Sequence, residues 1–264
     1  MQIAPSYDFD RFSDADSAAE LGRLQRQATL VLDRELAMLR DAGLASGADT
    51  AEIGCGPGFL TGALAGVAAP GRTLGIDSSA ELLRIARTAI EPEHPNLTFV
   101  DGNAYATGLP DDSLDFVYSR FLYQHLDTPA LALREAKRVL RPGGRICVVD
   151  VDDAWLTLEP TSEAFARLSQ AALEGQARRG GDRQIGRKLP GLMKRAGFAP
   201  VAVHVMSVTS LEVGLETFLD ITTRFKAVQA QSADGEMLVE EARRDAVRQD
   251  AFGVVGVFVA VGTA

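Results

Sequence analysis

The stretch Thr50-Ala51-Glu52-Ile53-Gly54-Cys55-Gly56-Pro57-Gly58-Phe59-Leu60 has the residue types of a buried strand end, a glycine turn and a helix start, in that order. Such a turn makes room for a nucleotide-like ligand. Glycines at 54, 56 and 58 remove side chains where the backbone bends sharply and lies against a ligand, and a helix beginning near Phe59 points free N–H groups into the same space. The spacing is GxGxG, and Phe59 stands where dinucleotide folds place a third glycine. Asp77 ends the next strand-like run, Thr73 to Ile76, where an acidic side chain can accept hydrogen bonds from both hydroxyls of a ribose. The alternative for Asp77 is to cap the helix that follows Ser78 and Ser79. A third apolar run, Leu97 to Val100, leads into Asp101-Gly102-Asn103-Ala104, whose polar residues can set a side-chain acceptor near an adenine amino group.

These residues need a sheet to hold them. From Asp49 the chain alternates strand and helix patterns: strand Thr50 to Ile53, helix Phe59 to Ala68, strand Thr73 to Ile76, helix Ala80 to Ile90, strand Leu97 to Val100, strand Leu114 to Ser119. Alternation of this kind implies parallel strands joined by right-handed crossovers. A helix from Pro129 to Leu140 and the turn Arg141-Pro142-Gly143-Gly144 precede a fifth strand, Arg145 to Val151. Trp155 to Arg179 reads as mostly helical, Arg179-Gly180-Gly181-Asp182 as a joint, and Arg187 to Ala196 as a helix ended by Gly197. Val201 to Val208 and Phe252 to Val261 are the last two strands, separated by a helical stretch from Leu211 to Gln249. Insertions of that length at the ligand edge of a sheet usually cover a substrate. Ahead of the core, Leu21, Leu24, Ala28, Leu32, Leu36 and Leu39 recur at helical spacing between Ser17 and Ala42, as one long amphipathic helix or two joined ones. Arg23 and Gln27 share one face of it. Residues 1 to 16, with Tyr7, Phe9 and Phe12, read as an aromatic coil that packs late.

Composition narrows the partners. A chain of 264 residues, 46% hydrophobic and 24% charged, can bury a full core, and its net charge of −9 without a dense Lys/Arg stripe argues against nucleic acid. Met1 to Asp10 has neither a basic start nor an apolar run, and Phe252 to Val261 is too short to span a bilayer, so the expected location is the cytoplasm with no membrane partner. Cys55 and Cys147 have no metal-ligand spacing and read as small buried fillers.

Taken together, Glu52-Ile53-Gly54-Cys55-Gly56-Pro57-Gly58, Gly75-Ile76-Asp77, Gly102-Asn103-Ala104, Leu109-Pro110-Asp111-Asp112-Ser113-Leu114-Asp115-Phe116-Val117 and Arg138-Val139-Leu140-Arg141-Pro142-Gly143-Gly144 resemble the class I S-adenosylmethionine-dependent methyltransferases. The likeness covers about residues 20 to 264 in element order and is sharpest from 50 to 151. It implies an α/β, Rossmann-like doubly wound sheet of seven strands in the order 3-2-1-4-5-7-6, the last antiparallel. It further implies an N-terminal helical cap at 1–45 and a core at 46–264 with helical insertions at about 155–185 and 211–250. S-adenosyl-L-methionine is the implied cofactor. Glu52, Gly54, Cys55, Gly56 and Gly58 would hold its methionine part, Asp77 with Ser78 its ribose, and Asn103 with the Ala104 backbone its adenine. Many relatives carry Asp at the position of Asn103, and an amide oxygen can still accept from an adenine amino group. Arg120 and Phe121 would lie along the cofactor. The run Arg23-Leu24-Gln25-Arg26-Gln27-Ala28 resembles the helix that closes over it in relatives, which brings in Arg23 and Gln27.

Methyl transfer from a sulfonium is an in-line displacement, so alignment and exclusion of water matter most, and proximity can supply roughly 7 to 11 kcal/mol of the barrier. A hydroxyl acceptor also benefits from a base. Of the three histidines, His94 sits in a far connection and His204 inside a strand, which leaves His125 as the candidate base; Tyr123 and Asp152 are weaker ones. Phe121, Tyr123, Trp155, Phe218 and Phe225 are expected to line the gap above the cofactor. The acceptor expected on these grounds is a small, largely apolar molecule methylated at oxygen, with no metal. Two alternatives use the same strand-turn-helix. One binds S-adenosylmethionine without transferring methyl, as a regulator or in decarboxylation or cyclisation; the other is an NAD(P)-dependent oxidoreductase, which Phe59 and the Pro-Gly-Gly turn disfavour. Oligomeric state has no signature in the sequence.

Overall fold

The computed structural model describes Phe9, residues 14–230 and residues 234–264. Of the aromatic tail, Tyr7 and Phe12 lie outside these residues, and Phe9 is buried. Seven strands, β1 (Thr50–Ile53), β2 (Thr73–Asp77), β3 (Leu97–Asp101), β4 (Leu114–Arg120), β5 (Leu140–Glu159), β6 (Val201–Thr209) and β7 (Phe252–Thr263), form one sheet in the order β3-β2-β1-β4-β5-β7-β6. The first five pair in parallel. β7 runs antiparallel to both β5 and β6. Order and sense are those expected of the Rossmann-like methyltransferase sheet.

Ten helices among the described residues flank it: α1 (Asp14–Thr29), α2 (Leu32–Asp41), α3 (Phe59–Ala68), α4 (Ala80–Ala89), α5 (Pro129–Val139), α6 (Glu163–Arg178), α7 (Leu189–Arg195), α8 (Ser210–Val213), α9 (Leu215–Ala230) and α10 (Gly235–Arg248). Alternation along each strand sends neighbours to opposite faces. Val117, Ile146, Val148 and Ala260 therefore meet Leu133 and Ala136 of α5 and Met193 of α7 on one face. Phe116, Tyr118, Cys147 and Val149 meet Leu39 of α2 and Leu60 and Leu64 of α3 on the other. A separate cluster of Phe165 and Leu168 from α6, Phe218 and Leu219 from α9, and Leu238 and Ala242 from α10 packs on Leu158 at the far end of β5.

One choice left open in the sequence is decided by the structure, and one element differs from the sequence reading. The helical run from Ser17 to Ala42 is two helices, broken at Leu30 and Val31, where Val31 takes φ −132° and ψ 24°. The break lets α2 lay Leu39 and the fully buried Glu35 against the sheet. Residues 155–159 are strand rather than helix. β5 bulges between Val151 and Leu156 and then continues against β7, pairing Leu156 with Val255 and Glu159 with Phe252. The alternation that makes this a strand is visible in Leu158, 2% exposed, between outward Thr157 and Glu159. The helical insertion accordingly starts at Glu163, where the Ser162 side chain caps the N–H of Phe165. No helix among the described residues is long and apolar enough to cross a membrane.

Candidate functional site

A cavity of about 670 Å³ opens at the carboxyl ends of β1 to β5, where open α/β sheets bind ligands. Its floor is the glycine turn with Asp77, Ser78, Asn103, Ala104, Arg120 and Phe121. Its roof is α1, α9 and the segment after α6, with β6 and β7 closing one side. The sheet thus brings nearly all of the residues singled out in the sequence to one space, including Arg23, Gln27, Glu52, Gly54, Cys55, Gly56 and His125.

The floor is acidic. The Glu52 carboxyl is 3% exposed and accepts a hydrogen bond from Thr61 Oγ1 at 2.6 Å. Burial pushes it up to about 8, against the pull of Thr61 and Arg120. Asp77 ties the turn to the next helix: one oxygen accepts from Gly56 N at 2.8 Å, the other from Ser79 N at 2.9 Å. Ser79, not Asp77, is the cap of α4, its hydroxyl accepting from Leu82 N. Asp77 also lines the cavity, where a carboxylate can accept from a ribose diol. Gly56 takes φ +53°, and a Cβ there would meet nothing within 4 Å, so the backbone stands open to the cavity. Asn103 accepts from Tyr105 N through Oδ1 at 2.8 Å, closing a local turn.

Arg120 is held from behind. Its Nε donates to both oxygens of Glu35, at 2.9 and 3.1 Å, and one Nη donates to the Gln27 carbonyl at 3.0 Å. Tyr118 donates to Glu35 as well. This network joins β4 to α1 and α2. It also presses the Arg120 guanidinium over the Phe121 ring, 4.4 Å from the centroid, with Phe121 itself at φ +52°, a conformation that non-glycine residues adopt chiefly where surroundings hold them there. Arg23 pairs with Glu20 at 2.6 Å, donates to Gln27 Oε1 at 3.2 Å, and lies 5.0 Å over the Phe225 ring of α9.

The roof is basic. Asp153, inside the bulge of β5, takes Nε and Nη2 of Arg183 at 2.6 and 2.8 Å and the ammonium of Lys226. Arg183 Nη1 also reaches Gln124 Oε1 at 3.0 Å. Burial alone would raise the Asp153 carboxyl; Arg183 and Lys226 hold it well below the usual range. Lys226, 1% exposed, is lowered by burial to about 8. His125 lines the same end, edge-on to Phe225 at 6.2 Å. Burial first, then Arg183, Arg23 and Arg179, push its imidazole down to about 3. The amide of Gln176 donates from Nε2 to the Gln124 carbonyl at 2.6 Å and lies 3.3 Å from His125 Nδ1. Which of these two groups donates depends on the tautomer of the ring. An imidazole held so low takes up a proton poorly, which runs against its expected role as base.

Several other expectations are corrected. Gly58 is not on the cavity wall: at φ +79° it caps α3, and a Cβ there would lie 2.4 Å from the Phe99 ring, so its role is close packing. Tyr123 is 2% exposed in the core beneath the loop, away from the cavity. Asp152 is fully buried and paired with Arg187. Trp155 stacks edge-on with Phe258 on the outside, 51% exposed, and Phe218 lies in the helical cluster; of the five aromatic residues expected at the gap, Phe121 and Phe225 line it. His204 lies on β6 with its side chain exposed, and His94 is half-buried beside Gly62. Glu35, Asp153, Arg183 and Lys226 were not singled out in the sequence, and only the cluster Asp150-Val151-Asp152-Asp153 at a strand end hints at any of them.

Comparison with known proteins bears on this geometry. A methyltransferase domain family matches residues 51–148. An uncharacterized 37.1 kDa protein of a Streptomyces fradiae transposon is 39% identical over 168 residues, 61% of this chain and 47% of that protein. A protein of Aspergillus luteorubrus named as a probable methyltransferase is 33% identical over 183 residues, 63% of each chain. The chain thus spans about half to just under two thirds of the length of these relatives. Among solved structures, a Haemonchus contortus phosphoethanolamine N-methyltransferase, in complex with phosphomonomethylethanolamine and S-adenosylhomocysteine, superposes with a TM-score of 0.62 at 20% identity. The match takes in 97% of this chain and 60% of that one, a likeness of fold.

Proposed function

Residues 51–148 belong to a methyltransferase domain family and the chain has the fold of class I S-adenosylmethionine-dependent methyltransferases; from that premise we propose that this protein transfers a methyl group from S-adenosylmethionine to a small-molecule acceptor. The observation that carries the reading is the continuity of one roofed cavity from Gly56 and Asp77 to Phe225 and His125. S-adenosylmethionine, when bound, supplies an electrophilic methyl on a sulfonium. Glu52 offers carboxyl charge to its cationic part, Asp77 offers lone pairs to its ribose, and the open backbone at Gly56 admits close approach. Asn103, through its amide, and the Ala104 backbone face the base. The Asn103 oxygen already serves Tyr105 N–H, so its second lone pair or Nδ2 makes that contact.

The other half of the cavity orients the acceptor and keeps water out. Leu24, Leu122, Leu126, Met206 and Val257 give it a largely apolar wall, which suits an acceptor with an apolar body. His125, its imidazole kept neutral by burial and by the surrounding guanidinium groups, positions the acceptor rather than deprotonating it. An oxygen target remains our reading where that oxygen arrives ionised. Calorimetric titration with S-adenosylmethionine and with NAD tests the cofactor, and the appearance of S-adenosylhomocysteine in turnover tests transfer. Tight NAD binding with none for S-adenosylmethionine would overturn the reading; binding without turnover on any acceptor would reduce it to a binding protein.

A further inference from the structure

Two buried cations on the roof share a single carboxylate. Lys226 is 1% exposed and Arg183 9%, both line the cavity, and both pair with Asp153, whose side chain is 5% exposed. Two positive charges against the one carboxylate they pair with leave an excess of positive charge in a space shielded from water, since burial pushes the other carboxyl that feels Arg183, Asp150, up to about 7. An uncompensated charge there is costly, and the interior strengthens its attraction for any anion that enters. The excess also runs against the chain as a whole, whose net charge is −9. The opposite end of the same cavity has the reverse character, with Glu52 and Asp77 at the glycine turn. One space thus has acidic residues matched to a cation and basic residues matched to an anion.

We propose that the acceptor binds as an anion, its oxyanion seated against Lys226 and Arg183. The inference rests on the methyl-transfer reading and sharpens it: the substrate class is a small molecule with an apolar body and a carboxylate or an ionised enol or phenol oxygen. Guanidinium and ammonium together suit such a group, since Arg183 offers planar paired donors and Lys226 a compact point charge. Arg183 commits three of its five N–H bonds to Asp153 and Gln124, and Lys226 one of three to Asp153, so donors remain for a ligand. His125, a neutral ring, lines the same space. The arrangement also accounts for a site in which the imidazole is no base, because an oxygen that arrives ionised has no proton to lose.

The test uses wild-type protein saturated with S-adenosylhomocysteine and two matched probe pairs, indole-3-acetate against indole-3-acetamide, and 4-nitrophenol, ionised at about pH 8, against 4-nitroaniline. Calorimetric titration is expected to show the anionic member of at least one pair binding about tenfold tighter. Preference in the first pair alone marks a carboxylate, and in the second an ionised hydroxyl. Lys226→Met is expected to erase the preference and Lys226→Arg to restore it, with S-adenosylhomocysteine affinity and the melting temperature reporting that the fold survives. Equal or weaker binding of both anions, or no binding of any probe at millimolar concentration, overturns the proposal, as does a preference that persists in Lys226→Met. Loss of the preference in Lys226→Arg with the fold intact also overturns it, because a neutralisable amine would then be what matters. If either variant unfolds, the wild-type pairs decide. Failure of S-adenosylhomocysteine itself to bind would count against methyl transfer rather than against the anion site.

Discussion

Glu52 makes cofactor binding a proton-linked event. With its carboxyl pushed up to about 8 by burial, about nine molecules in ten carry a proton there at pH 7. A ligand bearing a sulfonium and an ammonium favours the ionised form, so binding lowers this pKa and releases the proton. Ionising the group at pH 7 costs about 1.4 kcal/mol, one pKa unit, so affinity for S-adenosylmethionine should be about tenfold weaker at pH 7 than on the plateau above pH 8. The sign follows from the free protein holding the proton more tightly than the complex, which makes affinity rise with pH. Titration calorimetry between pH 6 and 9, in two buffers of different ionisation enthalpy, gives both the slope and the number of protons released. The ligand's own amino group titrates nearby, and Glu52→Gln provides the correction, since its amide oxygen can keep the Thr61 hydrogen bond while losing the proton. A pH slope in Glu52→Gln equal to that of the wild type, or no proton release near pH 7, would refute the reasoning. The same linkage bears on the free protein: the folded pKa lies above the ordinary carboxyl value of 4.5, so this group's contribution to stability is present at low pH and is lost as pH rises through about 8.

Gly56→Ala and Gly58→Ala should separate binding from folding. Each places alanine at positive φ, at about 1–2 kcal/mol, but only Gly58→Ala also drives a methyl into Phe99; denaturant unfolding should show the larger loss there and cofactor titration the larger loss in Gly56→Ala. Arg120→Met should destabilise by about 3–5 kcal/mol, because it strips the guanidinium from a fully buried Glu35, and adding Glu35→Gln should recover part of that loss in denaturant melts. His125→Ala should raise KM for the acceptor yet leave the pH profile of kcat/KM between pH 6 and 9 with the inflections of the wild type. An inflection that vanishes in the variant would restore the base assignment. Tyr123→Phe should leave turnover within about twofold, consistent with a ring buried under the loop.

The cofactor half of the site is legible in sequence because it is local. The turn from Ile53 to Phe59 is short, punctuated by glycine, and bounded by an apolar strand and an apolar helix, so its bounds can be read directly. Even there, spacing cannot tell Gly56 from Gly58: one faces open space and the other an aromatic ring that arrives from β3. The acceptor half is assembled from distant segments. Lys226 meets Asp153 across 73 positions, and Arg183 meets Gln124 across 59, which no periodicity encodes. Residues 155–159 resemble a helix start because Trp155 and Leu156 precede a helical pattern, and what makes them strand is pairing with β7, a tertiary contact.

The bulged extension of β5 bears on how ligands enter and leave. Beyond Val151 the strand carries on through Leu156, Thr157, Leu158 and Glu159, each in register with β7, and the helical cluster packs on Leu158. The cluster is therefore an outgrowth of the sheet, welded to it by main-chain rungs, and a swing of α6 and α9 away from the cavity would have to unzip them. α1 has no such weld to α9. Among the described residues it is fastened there by the half-exposed Arg26–Asp220 pair at 2.9 Å and by Arg23 over Phe225, contacts each worth about 1 kcal/mol or less. Traffic should accordingly pass under α1, on the side away from the strand extension, and exchange of the cofactor product should quicken as salt screens that pair.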